Sequence, residues 1–248
     1  MKISIITVVF NGEKTIRETI VSVLSQDYEN VEYIVVDGNS QDATKEIVAS
    51  FGDAITKFIS EPDKGLYDAM NKGIGLASGD VIGFLNADDL YADARILSEV
   101  STTFKGSDAD AVYGDLQYFD GTQAKRVTRH WRAGSYRKGM FLWGWMPPHP
   151  TFFVHRNWYL THGGFRLDMG SAADYELMLR MIHMHGAKLA YVQKVLVLMR
   201  AGGVSNVSFK NRLAANRNDR RAWQVNGIKP YPMTTFMKPF RKILQFIR

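Results

Sequence analysis

Short β-branched runs alternate with helix-period segments through the first hundred residues, and this alternation leaves few folds open. Strand patterns stand at 3–10, 31–37, 55–60 and 81–85, with helix patterns between them at 15–25, 44–51 and 66–77. In the first helix Ile16, Ile20, Val23 and Leu24 recur at helical spacing. Such alternation predicts βαβ units, and hence an α/β protein whose parallel sheet is covered by helices on both faces. Ligands of these sheets bind beyond the carboxyl ends of the strands. Asn11, Asp37 and the pair Asp88-Asp89 stand at such ends, so they are expected to converge on one crevice.

Beyond residue 105 the pattern changes. Segments 111–115 and 116–119 read as strands, and Asp120-Gly121 is a turn signal before 124–128. A stretch rich in aromatic and basic residues follows from 129 to 150, then a short strand pattern at 151–154. Leu177, Met178, Met181 and Ile182 mark a helix over 174–184, strand patterns return at 188–192 and 195–199, and a basic helix spans 209–225. No linker rich in Pro, Gly or Ser separates the halves, so the second is expected to extend the sheet of the first.

The net charge of +6 conceals an asymmetry. Residues 1–100 carry 8 Lys/Arg against 17 Asp/Glu, and residues 101–248 carry 23 against 8. A basic half predicts an anionic partner, either nucleic acid or a membrane surface. Nucleic-acid binding would leave the acidic half and its strand-end carboxylates without a role. The absence of cysteine excludes disulfides and thiolate metal sites. The N-terminus enters a strand at once, without a secretory pattern. No run approaches the roughly 18 apolar residues of a spanning helix. A cytoplasmic location is expected.

The run Val81-Ile82-Gly83-Phe84-Leu85-Asn86-Ala87-Asp88-Asp89 ends an apolar strand on two adjacent carboxylates. Like charges so placed call for a cation, and oxygen-only ligands suit Mg²⁺ or Mn²⁺. Mg²⁺ takes one or two carboxylates and fills its shell with phosphate oxygens and water, so the run points to a metal–diphosphate site. The competing reading is an Asp N-cap for the helix through Ile96 and Phe104. No G-x-G-x-x-G follows the first strand and no G-x-x-x-x-G-K-[ST] occurs, which removes the usual dinucleotide and P-loop modes. Asp37, in Asp37-Gly38-Asn39-Ser40-Gln41-Asp42, can accept from the N–H edge of a nucleobase or act as a turn residue bonding its own backbone.

Four ordered segments resemble the family 2 glycosyltransferases of GT-A fold: Ser4-Ile5-Ile6-Thr7-Val8-Val9-Phe10-Asn11, Val35-Val36-Asp37-Gly38-Asn39-Ser40-Gln41-Asp42-Ala43-Thr44, Asp63-Lys64-Gly65-Leu66-Tyr67-Asp68-Ala69-Met70-Asn71-Lys72-Gly73-Ile74 and Phe84-Leu85-Asn86-Ala87-Asp88-Asp89. The second half is similar more loosely, through Pro148-His149-Pro150-Thr151-Phe152-Phe153, Ala173-Asp174-Tyr175-Glu176 and Gly202-Gly203-Val204-Ser205. The likeness is greatest to bacterial enzymes that build surface polysaccharides. It implies a Rossmann-like, mostly parallel sheet flanked by helices, with a C-terminal helical extension. On that reading 1–105 is the nucleotide-sugar-binding half, 106–205 the acceptor-binding and catalytic half, and 206–248 the basic extension. The implied reaction is inverting transfer of a sugar, read as a hexose, from a nucleoside-diphosphate sugar to a hydroxyl of a glycan or lipid-linked saccharide. Carried over by position, Phe10 and Asp37 hold the base with Asn11 beside them, Lys64 lies near the nucleotide, Asp88 binds ribose or metal, and Asp89 is the main ligand of Mg or Mn. The family's D-x-D often begins with Asp where this chain has Asn86, which puts the role of that position in doubt.

A single in-line displacement needs a base for the acceptor hydroxyl. Asp174 matches the family's base, with plain N-capping as its other reading; Glu176, two residues along a helix, points elsewhere. Arg200 can close over the departing diphosphate, and His149 lines the acceptor side or assists the metal. Trp143 and Trp145 fit either sugar stacking, with Trp145 taken as the acceptor contact, or the core and a membrane face. Two other functions stay in view: a non-catalytic nucleotide-sugar-binding domain, and a nucleotidyltransferase, which would normally show a Gly-rich phosphate loop. In the tail, Phe236, Phe240, Ile243, Leu244 and Ile247 share one helical face and Lys238, Arg241, Lys242, Gln245 and Arg248 the other. That pattern predicts docking on an anionic inner-membrane surface. The alternative is packing on the protein itself or on a second copy, which leaves a homo-oligomer open.

Overall fold

The structure is a computed structural model that describes residues 1–121, 126–201, 209–231 and 234, with the backbone alone for 209–216. In chain order the elements are β1 (Ile3–Val9), α1 (Ile16–Leu24), β2 (Val31–Asp37), α2 (Thr44–Ala49), β3 (Lys57–Ser60), α3 (Leu66–Leu76), β4 (Val81–Phe84), β5 (Leu90–Tyr91), α4 (Ile96–Lys105), β6 (Ala111–Phe119), β7 (Val127–Trp131), β8 (Phe153–His155), α5 (Arg156–His162), α6 (Ala173–Met178), β9 (Leu189–Arg200) and α7 (Phe209–Val225).

Among the described residues the strands form one sheet, ordered β3-β2-β1-β4-β8-β6-β9-β5, with β7 on β6. The first four of that order pair in parallel, as βαβ connections require. β1 is buried along its whole length. Its Ile6 and Val8 pack with Ala69, Met70 and Ile74 of α3. Its Ile3, Ile5 and Val9 pack with Ile16, Ile20 and Val23 of α1 and with Ile96, Leu97 and Val100 of α4. A strand covered on both faces reads as a continuous apolar run, which is how it appears in the sequence.

The second half does extend the sheet, but not by parallel addition alone. β8 lies antiparallel to both β4 and β6, β7 is antiparallel to β6, and β5 is antiparallel to β9; β6 and β9 are parallel. β7 and β8 are entered from loops rather than from helical crossovers, so nothing imposes the parallel sense on them. The pairs of runs expected at 111–119 and 188–199 are single strands. Their shared register slips around Gly114, Asp115 and Leu116, and this bulge interrupts the side-chain alternation. The strand expected at 151–154 begins two residues later, after a 3₁₀ turn at His149–Thr151, and the one at 124–128 is seen from Val127. The helix expected over 174–184 is α6 followed by a wider π turn, Leu179–Met184. The tail from 236 and Gly202-Gly203-Val204-Ser205 lie outside the described residues. No helix among the described residues is long and apolar enough to cross a membrane.

Candidate active site

The crevice opens where β1, β2 and β4 end. Phe10 follows β1 and is 64% exposed, so its ring is free to meet a flat ligand. Asn11 takes a left-handed φ of 51°. Its N–H donates to Ser40 Oγ (2.8 Å) and its Oδ1 accepts from Gln41 N (2.9 Å), which stitches the β1 loop to the β2 loop. Asp37 needs correction. Its carboxylate is fully buried, accepting from Ser40 N (3.0 Å), from Ser40 Oγ and from Ser60 Oγ (2.6 Å). Burial and these serine bonds hold Asp37 as a residue of the turn after β2. Asp63 is the carboxylate that the sequence reading passed over except as part of a motif. Gly38 lacks the Cβ that would collide with Asp63 Oδ2 and touch the Phe10 ring, so Asp63 can lie beside the exposed aromatic. Asp63 Oδ1 accepts from Gly65 N (2.7 Å) and Asp68 Oδ2 from Lys64 N (2.9 Å), which leaves Lys64 exposed at the head of α3.

The carboxylate pair sits deeper. Asp89 closes a turn onto Asn86 (N to O, 3.0 Å) and leads into β5, whose Leu90 and Tyr91 pair with Leu198 and Val197 of β9. This short pairing carries Asp89 to the end of β9, where the positive charge of Arg200 acts on its carboxyl. α4 starts only at Ile96, capped at Arg95, so the N-cap reading of Asp88-Asp89 falls away. Asp89 is fully buried; its Oδ2 accepts from Asn86 Nδ2 (3.2 Å), while its Oδ1 and Asn86 Oδ1 find no partner. Burial, then the neighbouring Asp88 charge, pushes the Asp89 carboxyl well above the usual range; burial also raises Asp88, and Arg200 opposes both shifts. An anionic pair with orphaned oxygens in a dry site is a donor set that fits a hard divalent cation. Asn86 therefore serves by orienting Asp89. No cluster of three or more such ligands occurs among the described residues, so an ion here would rely on two carboxylates plus ligand oxygens.

Arg200 is held back from a full embrace of the pair. Its Nη2 meets Glu18 Oε2 (3.1 Å), its Nη1 donates to Gly121 O (2.8 Å), and its guanidinium lies over Phe119 at 4.9 Å. Its Nε is buried without a partner.

Asp174 stands in the first turn of α6, half-buried, with Oδ1 accepting from Tyr175 N (2.7 Å). Ala172 occupies the cap position, so Asp174 is not capping the helix. Burial raises the Tyr118 phenol, the Arg129 charge opposes that, and the charges of Asp89 and Asp174 both add to the rise. His149 stacks on Phe84 (5.9 Å) and meets Phe165 edge-on (5.6 Å); burial lowers its pKa and the Asp174 charge opposes that, so the ring is neutral near pH 7. Glu176 is excluded as the base. It is fully buried and bound by both Nε (2.9 Å) and Nη2 (3.0 Å) of Arg180, with Asn226 Nδ2 at 3.1 Å.

Trp145 also needs correction. It is 3% exposed, its Nε1 donates to Ala133 O (2.8 Å), and its ring packs among Tyr113, Tyr136 and Phe141. An indole so enclosed cannot stack on a sugar. Trp143 is the exposed one, at 56%, with its ring 6.3 Å from that of Tyr231.

A curled α/β sheet with an acidic pair beyond β4 and a carboxylate across the crevice is the architecture of a GT-A glycosyltransferase. Among solved structures, TarS of Staphylococcus aureus in complex with UDP-GlcNAc has a TM-score of 0.67 at 16% identity, covering 91% of this chain and 70% of that one. A mannosyltransferase of Pyrobaculum calidifontis in complex with GDP-Man and Mn²⁺ has a TM-score of 0.67 at 18% identity, covering 98% and 69%. The model of glycosyl transferase family 2 matches residues 4–163, and the chain belongs to that family. An uncharacterised glycosyltransferase of Mycobacterium tuberculosis is 32% identical over 180 residues, 72% of this chain and 68% of the relative. A PGL/p-HBAD biosynthesis glycosyltransferase of Mycobacterium bovis is 28% identical over 208 residues, 82% and 78%.

Proposed function

We propose that the protein moves a hexosyl group, with inversion, from a nucleoside-diphosphate sugar to a hydroxyl of a glycan or lipid-linked saccharide. The observation that carries this reading is the fully buried Asp89, with an unpartnered oxygen, next to half-buried Asp88 and under the charge of Arg200. Phe10 offers its face to the base, with Asn11, Asp63 and Lys64 at the nucleotide rim. Asp88 and Asp89 are the residues that would hold Mg²⁺ or Mn²⁺. That ion, when bound, supplies charge neutralisation for the departing diphosphate. Arg200 adds a second positive charge once it exchanges Glu18 for phosphate. Asp174 takes the acceptor proton as the anomeric bond breaks. His149, neutral and wedged between Phe84 and Phe165, bounds the acceptor side.

A role in surface-glycan synthesis, from the cytoplasmic side of an anionic membrane, is the finer part of the proposal. The basic second half and the exposed Trp143 and Tyr231 support it, as does the similarity to a mycobacterial PGL/p-HBAD biosynthesis glycosyltransferase. The test is a thermal-shift panel of UDP-, GDP- and dTDP-sugars with and without Mn²⁺. At about a hundred times the dissociation constant, a true donor adds about 2.7 kcal/mol. One donor is expected to stabilise the protein, only with the ion, and not the Asp89→Ala variant. Equal shifts in EDTA would overturn the metal-dependent reading.

A further inference from the structure

α7 exposes Arg217, Arg220 and Arg221 on its outer side and closes on α6 with its inner one. Asp219, Ala222, Trp223 and Asn226 recur along it at helical spacing, and the first three are buried, Ala222 and Trp223 completely. Two of these side chains grip the residues that follow Asp174. Trp223 Nε1 donates to the Tyr175 hydroxyl (2.9 Å), out of reach of water, and Asn226 Nδ2 donates to Glu176 Oε1 (3.1 Å). The Trp223 ring meets His183 of the π turn edge-on at 5.4 Å, and the Tyr175 ring lies 6.1 Å from that of Phe141. α7 also holds the chain ahead of Asp174. Arg221 Nη2 meets Asp168 Oδ2 (2.9 Å), and a Cβ on Gly170, whose φ is 52°, would come within 3.0 Å of Asn218 Nδ2.

We infer that Trp223 is a positioning residue, whose indole N–H holds the first turn of α6 so that Asp174 is aimed for the acceptor proton. That role presupposes Asp174 as the base of the proposed transfer. α6 has little rigidity of its own. It runs for 6 residues, and Ala172 at its cap position offers no side-chain bond. Helices shorter than about 12 residues are marginal without tertiary contacts, so the orientation of α6 is set by what grips it. Arg180 ties Glu176 to the 162–164 loop on one side, and α7 supplies the other grip. The relay to the base is short. Trp223 fixes the far end of Tyr175, and the Tyr175 N–H donates to Asp174 Oδ1 (2.7 Å). A base displaced by about 1 Å loses on the order of 100-fold in rate, so a small tilt of α6 is felt. The step balances without Trp223 or Tyr175 changing state. The acceptor oxygen forms a bond to the anomeric carbon, its proton passes to Asp174, and the carbon–oxygen bond to the diphosphate breaks with its electrons on the phosphate. Burial, then the Asp219 charge, keeps the Tyr175 phenol protonated throughout.

The test compares crystal structures of the wild type and Tyr175→Phe, which removes one oxygen and leaves both the ring beside Phe141 and the N–H on Asp174. Asp174 is expected in a single conformer in the first and in a turned or second one in the other. An unmoved Asp174 in Tyr175→Phe overturns the inference whatever the reaction proves to be. Trp223→Phe deletes the donor instead and is expected to give the same displacement, with the double variant no worse than either alone. Kinetics adds the functional arm, read as nucleoside-diphosphate release from UDP-GlcNAc or GDP-mannose with Mn²⁺ and with water in the acceptor's place. In each single variant kcat is expected to fall about 10- to 100-fold, with KM for the donor unchanged. In an Asp174→Asn background neither substitution is expected to cost anything further. Release undiminished by Asp174→Asn defeats the base assignment instead. A lowered melting temperature with kcat intact defeats the positioning role alone and leaves the bond a stability contact.

Discussion

Arg180→Leu is the perturbation whose cost the structure defines best. The guanidinium binds both oxygens of Glu176 and also the carbonyls of His162, Gly163 and Gly164. Glu176 is wholly inaccessible and the Arg180 side chain is 11% exposed, so the pair is a desolvated one. Removing one member of such a pair strands a charge and costs about 3–5 kcal/mol. The orphaned carbonyls add little, because that loop is at least partly exposed and water can replace the donor. Replacing both partners by apolar residues of similar volume is often neutral. Glu176→Leu with Arg180→Leu is therefore expected to regain most of what Arg180→Leu loses, apart from the Asn226 contact. Urea unfolding followed by circular dichroism reads all three proteins, with the midpoint falling far for the single variant and modestly for the double. A double variant as unstable as the single one would refute the reasoning, and would mean that the ties to the 162–164 loop, not the charge pair, carry the energy.

Asp89→Asn is expected to stabilise the metal-free protein at neutral pH, because it removes a buried like charge. The folded-state pKa of Asp89 is raised, so wild-type stability falls as pH climbs from the ordinary carboxylate value of 3.8 until the raised value is passed. Melting curves in EDTA at pH 5 and pH 8 should show that fall in the wild type and a weaker one in the variant; parallel curves would contradict the assignment. Glu18→Ala frees Arg200 from a half-exposed partner and is expected to tighten UDP or GDP binding by up to about fivefold in calorimetry with Mn²⁺. Weaker binding would show that Glu18 presents the arginine rather than restrains it. Deleting residues 234–248 is expected to abolish flotation with anionic liposomes, and equal flotation of both proteins would remove the membrane role of the tail.

The parts of this molecule legible in its sequence are those whose signal is local. β1, β2 and β4 are covered on both faces, so each reads as an apolar run, and α3 announces itself through its turn. β5 has no local signal, since two residues become a strand only because β9 lies alongside. α5 was missed because only Tyr159 of its seven residues is buried. Glu176 turns away from Asp174 as a spacing of two along a helix implies, but the partner that claims it stands four residues on, and nothing in the sequence pairs Arg180 with it. Asp37 and Trp145 both lie buried for one reason. A residue type states what a side chain can do, whereas Ser60 and Ala133, remote in sequence, decide what it does.

The smallest strand sets the limit on how far the molecule can be cut down. The family match ends at residue 163, but Asp89 reaches its place through a two-residue ladder to β9, and β9 ends on Arg200. A fragment trimmed to the matched region would keep the four ordered segments of the first half and still lose Asp174, the strand that seats Asp89 and Arg200 at its end. Grafts between relatives meet the same seam: a new second half must return a strand to Leu90 and Tyr91 in this register. The boundary visible in the sequence and the boundary of the working unit are different lines.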